Sequence, residues 1–167
     1  MSKIIIKNLS AREKIVGGVS KLADAVSATM GPQGKNVIIG KFVGAPVITK
    51  DGVSVAREIV LDDALEDLAC QLVKEVAGRT ADIAGDGTTT ATVLVDEMVR
   101  RGSELMDTGY SPLKFKEGLS WTLDKIVGEL NELSKPVENF GTLKSVASIS
   151  SNNDFEMGGR IADAFEL

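Results

Sequence analysis

A glycine- and threonine-rich segment, Gly85-Asp86-Gly87-Thr88-Thr89-Thr90, has the residue types and spacing to bind phosphate groups. It directly precedes apolar residues at helical spacing, so its threonines would form the first turn of a helix. The first N–H groups of a helix have no partner within it, and the helix dipole is positive there, which favours anions. Asp86 would repel a bare phosphate, and its carboxylate fits only beside a hard cation such as Mg²⁺. The segment therefore suggests a site for a magnesium-bound nucleotide.

An ordinary helix start is the alternative interpretation of the same segment. Asp and Thr are good N-cap residues, and glycine before a helix is common in turns. No lysine follows the last glycine, so the segment is not a Walker A motif, and the glycine order does not fit G-x-G-x-x-G. The segment alone leaves both interpretations open, and any phosphate site here is of another type.

Two further loops carry groups that could share a site with this segment. The first, Thr29-Met30-Gly31-Pro32-Gln33-Gly34, ends a helix in a glycine-rich turn where backbone can approach a ligand closely. The second, Thr49-Lys50-Asp51-Gly52, ends a strand with a cation and a carboxylate. Each loop alone could be a simple connector. Together the three supply backbone amides, an ammonium, carboxylates and hydroxyls, and phosphoryl transfer requires little beyond such positioning and charge neutralisation.

Helices are expected to position these loops. Helical apolar spacing, β-forming residues, capping residues and Gly/Pro punctuation predict the following elements. They are a short edge strand at 3–7, a helix ending near 29, strands at 36–39 and 47–49, helices opening at 62–63, 88 and 111–112, and shorter helices at 142–149 and from 155. The fold class is therefore predicted to be mainly α, a helical bundle with a small β-hairpin and an N-terminal edge strand.

Two apolar stripes are predicted to face the core of this bundle. In the helix that opens at 62–63 the stripe consists of Leu65, Leu68, Ala69, Leu72, Val73, Val76 and Ala77. In the helix that opens at 111–112 it consists of Leu119, Leu123, Ile126, Val127, Leu130 and Leu133. Cys70 lies in the first stripe and is interpreted as a small buried hydrophobe.

Composition excludes several classes of function. The 167 residues suit one domain, or one domain and part of another, and a 43% hydrophobic content supports a real core. The net charge is −5 and no basic stripe with aromatics is present, so nucleic acid is a poor candidate partner. The chain has no histidine and a single cysteine, which removes the usual general base and a thiolate zinc site. No signal peptide or membrane-length apolar run is found, so a cytoplasmic protein without a membrane partner is expected.

The three loops strongly resemble those of the group I chaperonins, the GroEL type. The matching motifs are Thr-Met-Gly-Pro-Gln-Gly from residue 29, Ile-Thr-Lys-Asp-Gly-Val-Ser-Val-Ala-Arg-Glu-Ile from residue 48, and Ala-Gly-Asp-Gly-Thr-Thr-Thr-Ala-Thr-Val-Leu from residue 84. Their order and separations match as well, and residues 22–26 and 146–154 extend the likeness over essentially the whole chain. The resemblance implies an ATP-dependent molecular chaperone, a subunit of a ring that assists protein folding.

The domain organisation follows from this resemblance. It implies that residues 1–132 form the N-terminal part of an equatorial, ATP-binding and ring-forming domain, and that residues 133–167 form the first part of an intermediate domain. An apical domain is absent from this chain. The implied partners are a homo-oligomeric, seven-membered ring, unfolded protein clients and a GroES-type co-chaperonin. The last two would bind through segments missing here. The implied source is bacterial, or a phage gene expressed in a bacterial host.

The resemblance also implies roles for the residues of the three loops. The residues implied to bind ATP are Thr29, Met30, Gly31, Pro32, Lys50, Asp86, Gly87, Thr88, Thr89 and Thr90. Asp86 would coordinate Mg²⁺, and the catalytic residue would be Asp51, which would help to order the attacking water near the γ-phosphate. Thr29, Lys50 and Thr89 would lie near a K⁺ site. The implied cofactors are thus ATP, Mg²⁺ and K⁺.

Departures from the family pattern qualify these expectations. The chain stops before the segments that in the family carry the water-activating aspartate and the client and lid surfaces. We therefore expect an intact chaperonin ATPase to require more than these 167 residues, which alone should have little or no turnover. Glu104 stands where well-known members carry a lysine at the ring–ring contact, which puts the usual double ring in question. Tyr110 and Trp121 are unusual aromatics, interpreted as helix-end packing.

Two other functions are compatible with parts of the pattern. The chain could be a truncated, non-hydrolysing chaperonin-like assembly module that keeps the fold and the subunit contacts. It could also be a small P-loop-like phosphotransferase, but the absence of a Walker lysine and of a general-base histidine argues against that function. Mg-ATP binding by the chain separates the first alternative from a nucleotide-binding subunit.

Overall fold

The computed structural model describes residues 9–31, 33–41 and 44–166, and in this part of the chain the fold is seven helices and one two-strand sheet. The elements are α1 (Leu9–Ser27), β1 (Val37–Ile39), β2 (Val47–Thr49), α2 (Gly52–Glu58), α3 (Ala64–Ala84), α4 (Thr88–Asp107), α5 (Pro112–Leu133), α6 (Phe140–Ser150) and α7 (Phe155–Glu166). The predicted fold class, mainly α with a small hairpin, is confirmed. The predicted edge strand at 3–7 lies outside the described residues.

Local capping signals fix several of these boundaries. The carboxylate of Asp63 accepts hydrogen bonds from the amides of Leu65 and Glu66 and so begins α3. Asn139 begins α6 in the same way by accepting from the amide of Thr142. Gly85 ends α3 in the left-handed conformation, with φ of 72°. Such side chains and glycines satisfy backbone groups that a helix end leaves unpaired, so boundaries of this kind are visible in the sequence.

Residues Met1–Pro112 form the first of two compact units, and its core lies among α1, α2, α3 and α4. The buried residues of this core are Val19, Leu22, Val26, Val55, Ala56, Ala69, Cys70 and Val73. Cys70 is buried, as predicted. The predicted buried face of α3 is partly wrong, because Leu68 and Leu72 are more than half exposed. The buried residues of α3 are its smaller side chains, Ala69, Cys70, Val73 and Ala77.

Helices α1 and α4 pack antiparallel, and two polar contacts mark their alignment. The guanidinium of Arg12 lies 2.9 Å from the carboxylate of Asp107, near the start of α1 and the end of α4. Further along, the hydroxyl of Ser20 donates a 2.6 Å hydrogen bond to Asp96. This antiparallel alignment brings the end of α1 to the start of α4.

Strands β1 and β2 form an antiparallel hairpin beside this helical core. Ile38 pairs with Ile48 at the centre of the three-residue register, and both of these side chains are exposed. On the opposite face Val37 and Ile39 pack against the core. The hairpin therefore anchors the chain segment that leads from β2 into α2.

The second compact unit spans Leu113–Leu167 and has α6 and α7 as its packed pair. The two helices touch where Gly158 meets Ser148, and Ala147 and Ala162 are buried in this unit. A turn with Asn152 and Asn153 in the left-handed conformation joins them. No residue of α5 is buried, so the predicted core-facing stripe of that helix is wrong for this structure.

The boundary between the compact units falls at the start of α5. The division of the chain into an equatorial part ending at residue 132 and an intermediate part from residue 133 stays a prediction. Among the described residues, no helix is long and apolar enough to cross a membrane.

Candidate functional site

Gly52 is the point at which the three loops singled out in the sequence meet. It is the first residue of α2, directly after β2 and Asp51, and it is buried. A Cβ atom at this position would lie 3.3 Å from the hydroxyl oxygen of Thr29 and closer than 3.0 Å to that of Thr89. The end of α1, the link from β2 to α2 and the start of α4 therefore converge here.

The start of α4 presents unpaired backbone amides. Gly87, at the N-cap, has φ of 84° and provides no side chain to cap the helix. The carboxylate of Asp86 accepts a 2.6 Å hydrogen bond from the amide of Gly87. The amides of Thr88, Thr89 and Thr90, which follow, belong to the first turn and have no intrahelical acceptor. This contrasts with α2, α3 and α6, each of which is capped by a carboxylate or an amide side chain.

Asp86 is exposed, and among the described residues it takes part in no ion pair. Its carboxylate therefore keeps acceptor sites beyond the bond to Gly87. Within the described part of the chain no cluster of three or more His, Cys, Asp or Glu side chains could hold a metal by itself. A cation at Asp86 would thus need oxygen ligands from outside the chain, and Mg²⁺ commonly takes them from phosphates and water.

Asp51 is the N-cap of α2 and is held by that helix. Its carboxylate accepts hydrogen bonds from the amides of Val53 and Ser54 and a 2.6 Å bond from the Ser54 hydroxyl. Desolvation acts to raise the pKa of Asp51, but these bonds outweigh it and hold the pKa below its ordinary value. Asp51 is therefore an ionised carboxylate in a fixed place beside Gly52. Lys50, the preceding residue, is exposed.

Thr29 holds the start of the loop that follows α1. This residue is buried, and its hydroxyl donates a 2.8 Å hydrogen bond to the carbonyl of Val26. Gly31 follows with φ of 77°, and its carbonyl accepts from the amide of Gly34. Met30 is 46% exposed, so a large apolar side chain lies at the surface next to the junction. Pro32 lies outside the described residues.

Lysine 74 holds α2, and with it Asp51, against α3. Its ammonium donates hydrogen bonds to the carbonyls of Arg57 and Ile59, at the end of α2. No amide of the helix donates to these carbonyls, so the ammonium caps the end of α2 and its positive charge complements the helix dipole.

The structure brings some of the predicted residues into one place and leaves others as neighbours in sequence. The hydroxyls of Thr29 and Thr89 both lie next to Gly52, the residue that follows Asp51. Met30, Gly31, Lys50 and Asp86 lie on the same three loops, within a few residues of that junction. Gly52 itself was not predicted as a site residue, because it was interpreted as part of a turn. A glycine at the first helical position, where alanine is the better helix former, is the signal that could have drawn attention to it.

A family model described as the TCP-1/cpn60 chaperonin family matches residues 22–167. Among solved structures the chain is similar to the chaperonin gp146 from the bacteriophage EL 2 (Pseudomonas aeruginosa), crystallised in the presence of ATP-BeFx. The sequences are 27% identical and the TM-score is 0.80, over 97% of this chain and 28% of that chain. The chain thus spans 28% of the length of that chaperonin.

Proposed function

This chain belongs to the TCP-1/cpn60 chaperonin family, and from that premise we propose that it is the ATP-binding part of a chaperonin subunit. The observation that carries the proposal is the convergence of three loops at Gly52, where the hydroxyls of Thr29 and Thr89 both lie close to the position that a side chain of residue 52 would occupy. Loops that together bind one ligand must lie side by side, and the three loops meet that requirement at this junction.

The start of α4 supplies the phosphate-binding groups in this proposal. The amides and hydroxyls of Thr88, Thr89 and Thr90 hold the phosphate groups, since this helix end has no side-chain cap, and Gly87 lets the backbone approach them closely. Asp86 takes Mg²⁺ together with phosphate oxygens, and the cation supplies charge neutralisation there. The residues present suit these ligands. The unpaired amides of the first turn can donate to phosphate, and the carboxylate of Asp86, which would repel phosphate, can bind a cation.

The other two loops complete the site. Thr29, Met30, Gly31 and Pro32 line the nucleotide, with Lys50 close by. Asp51, held ionised by its hydrogen bonds, orients the attacking water near the γ-phosphate. Thr29, Lys50 and Thr89 contribute backbone and hydroxyl oxygens to a K⁺ site. These roles follow the family motifs residue by residue.

Chaperone activity belongs to the assembled protein in this proposal. The subunits form a homo-oligomeric ring in the cytoplasm of a bacterium or of a phage-infected host, and ATP binding biases its domains between conformations. Unfolded clients and a lid partner bind through parts of the protein beyond these residues. By the resemblance to the family, hydrolysis should need a carboxylate from a segment other than these 167 residues, and turnover by these residues alone should be near background.

Calorimetry with Mg-ATP tests the proposal. The 167-residue chain should bind Mg-ATP, and chelation of the metal should weaken binding. Asp86→Ala should lower the affinity about tenfold or more, because charged hydrogen-bonding and metal contacts are worth roughly 1.5–3 kcal/mol. Asp163→Ala, which removes an exposed carboxylate from α7, is the matched control and should bind as the wild type does.

The alternative, a non-hydrolysing assembly module without a nucleotide site, predicts that the chain does not bind Mg-ATP. Absence of Mg-ATP binding by a folded wild-type chain would contradict the proposal and favour that module. Equal affinity of wild type and Asp86→Ala would reject the metal role of Asp86 alone. Steady hydrolysis by the 167 residues would show that no missing carboxylate is essential.

A further inference from the structure

Gly52 occupies a position where a glycine is not required by the backbone. It lies in the first turn of α2 and is not among the glycines with positive φ, so any residue could adopt its conformation. Alanine is the better helix former at such a position. The reason for glycine must therefore be the space around it.

That space is filled by the groups of the candidate site. A Cβ atom on residue 52 would lie closer than 3.0 Å to the hydroxyl oxygen of Thr89, a separation that real Cβ atoms essentially never show. It would also lie 3.1 Å from Cγ1 of Val26 and 3.3 Å from the hydroxyl oxygen of Thr29. A methyl group here cannot be accommodated unless the Thr89 side chain rotates or the start of α2 moves.

The obstructing atom is the end of a side chain, which distinguishes Gly52 from the glycines at helix crossings. At Gly18 the nearest atoms belong to the backbone of Glu66, and at Gly158 the near atoms include the backbone of Ser148. A rigid backbone cannot yield to a new methyl group, whereas a threonine side chain can rotate. A methyl group at residue 52 should therefore disturb the site more than the fold.

We infer that Gly52 is a positioning residue of the nucleotide site: its missing side chain lets Asp51 and the hydroxyls of Thr29 and Thr89 converge on one ligand. The inference rests on the proposed function and adds a residue to it. Gly52 need not touch the nucleotide. It sets the separation between the start of α2, which carries Asp51, and the start of α4, which carries the phosphate-binding amides.

The first test compares Gly52→Ala with wild type by Mg-ATP calorimetry and by thermal unfolding followed by circular dichroism. Misplacement of groups by about 1 Å can cost up to about a hundredfold, so the Kd for Mg-ATP should rise between about tenfold and a hundredfold. The helical signal and the cooperative transition should persist. Gly78→Ala, in α3 with nothing within 4 Å of the added Cβ, is the matched control and should leave the Kd unchanged.

The second test asks whether Thr89 is the group that the methyl displaces. Serine at 89 keeps the hydroxyl but lacks the branch that restricts rotation, whereas valine keeps the branched shape without the hydroxyl. The rise in Kd caused by Gly52→Ala should therefore shrink in the Thr89→Ser background and persist in the Thr89→Val background, each measured against its own single variant. A purely structural role of Gly52 would show no such difference.

Each outcome decides the inference. If wild type binds Mg-ATP and Gly52→Ala binds equally well, the positioning role is wrong and the proposed function stands. If wild type fails to bind, both are overturned. A parallel loss of affinity and melting temperature without rescue by Thr89→Ser identifies a structural role and rejects the inference. If Gly52→Ala does not fold, the double variant Gly52→Ala/Thr89→Ser decides. A double variant that folds and binds Mg-ATP supports the inference, and one that does not fold or does not bind rejects it.

Discussion

Asp51 has a structural task that can be separated from its proposed part in catalysis. Its carboxylate caps α2 by accepting from the amides of Val53 and Ser54. Asparagine is an equally good N-cap residue but carries no charge, whereas alanine can do neither task. Substitutions at this residue therefore distinguish the cap from the charge.

We predict that Asp51→Ala lowers the free energy of unfolding by about 1 kcal/mol and that Asp51→Asn lowers it by much less at neutral pH. Urea unfolding followed by circular dichroism measures both values. Equal losses in the two variants would mean that the charge of Asp51, and not the cap geometry, stabilises α2.

The pH dependence of this contribution has a definite sign. Desolvation opposes the shift, but hydrogen bonds from Ser54 and Val53 lower the pKa of Asp51 in the folded chain. A lowered pKa stabilises the fold above the pKa of the unfolded chain, and this stability is lost as the pH falls through the folded-state pKa. In the same unfolding measurements, any advantage of wild type over Asp51→Asn should therefore shrink towards acid pH.

At the scale of elements, the crossing of α1 and α3 depends on Gly18 and not on its neighbour Gly17, because the two glycines have different surroundings. A Cβ atom on Gly18 would lie closer than 3.0 Å to the backbone carbonyl of Glu66, so α3 could not remain in place. A Cβ atom on Gly17 would lie 3.4 Å from the Glu66 carboxylate, an ordinary contact. The pair forms a matched test of close helix packing.

Gly18→Ala should lower the free energy of unfolding by about 1–3 kcal/mol, the usual cost of overpacking a core contact. Gly17→Ala should be neutral or stabilising, because alanine favours the helix by about 1 kcal/mol over glycine. Chemical denaturation of the two variants beside wild type gives both numbers. Similar destabilisation by both changes would contradict the close approach of α3 at Gly18.

Glu66 also shows how charge reinforces this crossing. Its carboxylate is bound by the ammonium groups of Lys21 and Lys14. These two lysines lie on opposite sides of the glycine pair in the sequence, each about one helical turn from it. The hydrogen bond from Lys21 contributes most to lowering the pKa of Glu66. The Glu66 side chain is only 13% exposed. Gly17 of α1 lies next to its carboxylate and, having no side chain, leaves room for it.

At the scale of the whole molecule, the helices differ in how they are held. Residues of α1, α2 and α3 share one buried core, whereas α5 has no buried residue although it is 22 residues long. Most helical stability in proteins comes from the packing of an apolar face, and α5 lacks a buried residue to provide it. Local opening should therefore be far easier in α5.

Amide hydrogen exchange followed by mass spectrometry of the 167-residue chain should show this difference. We expect peptides from α5 to exchange orders of magnitude faster than peptides from α1 and α3, whose amides open only with the core. Uniform slow protection along α5 would mean that its apolar face is covered in solution, for instance by a second copy of the chain.

The sequence alone indicates the longer helices, the hairpin and the family, but it does not mark residues 52–58 as a helix. Asp63, Gly85 and the Ser111-Pro112 pair act on their nearest neighbours in the chain, so helix boundaries could be predicted within a few residues. The three loops could likewise be recognised one at a time, because each is a continuous run of residues whose chemistry does not depend on distant partners.

Only the tertiary structure decided which faces are buried and which residues meet. Leu68 and Leu72 fit a helical stripe as well as Ala69 and Val73 do, but only Ala69 and Val73 are buried once the helices have packed together. Gly52 carries no local sign of its contact with Thr89, 37 positions later in the numbering. Packing depends on the shapes of elements far apart in the chain, and that information exists only once they have folded together.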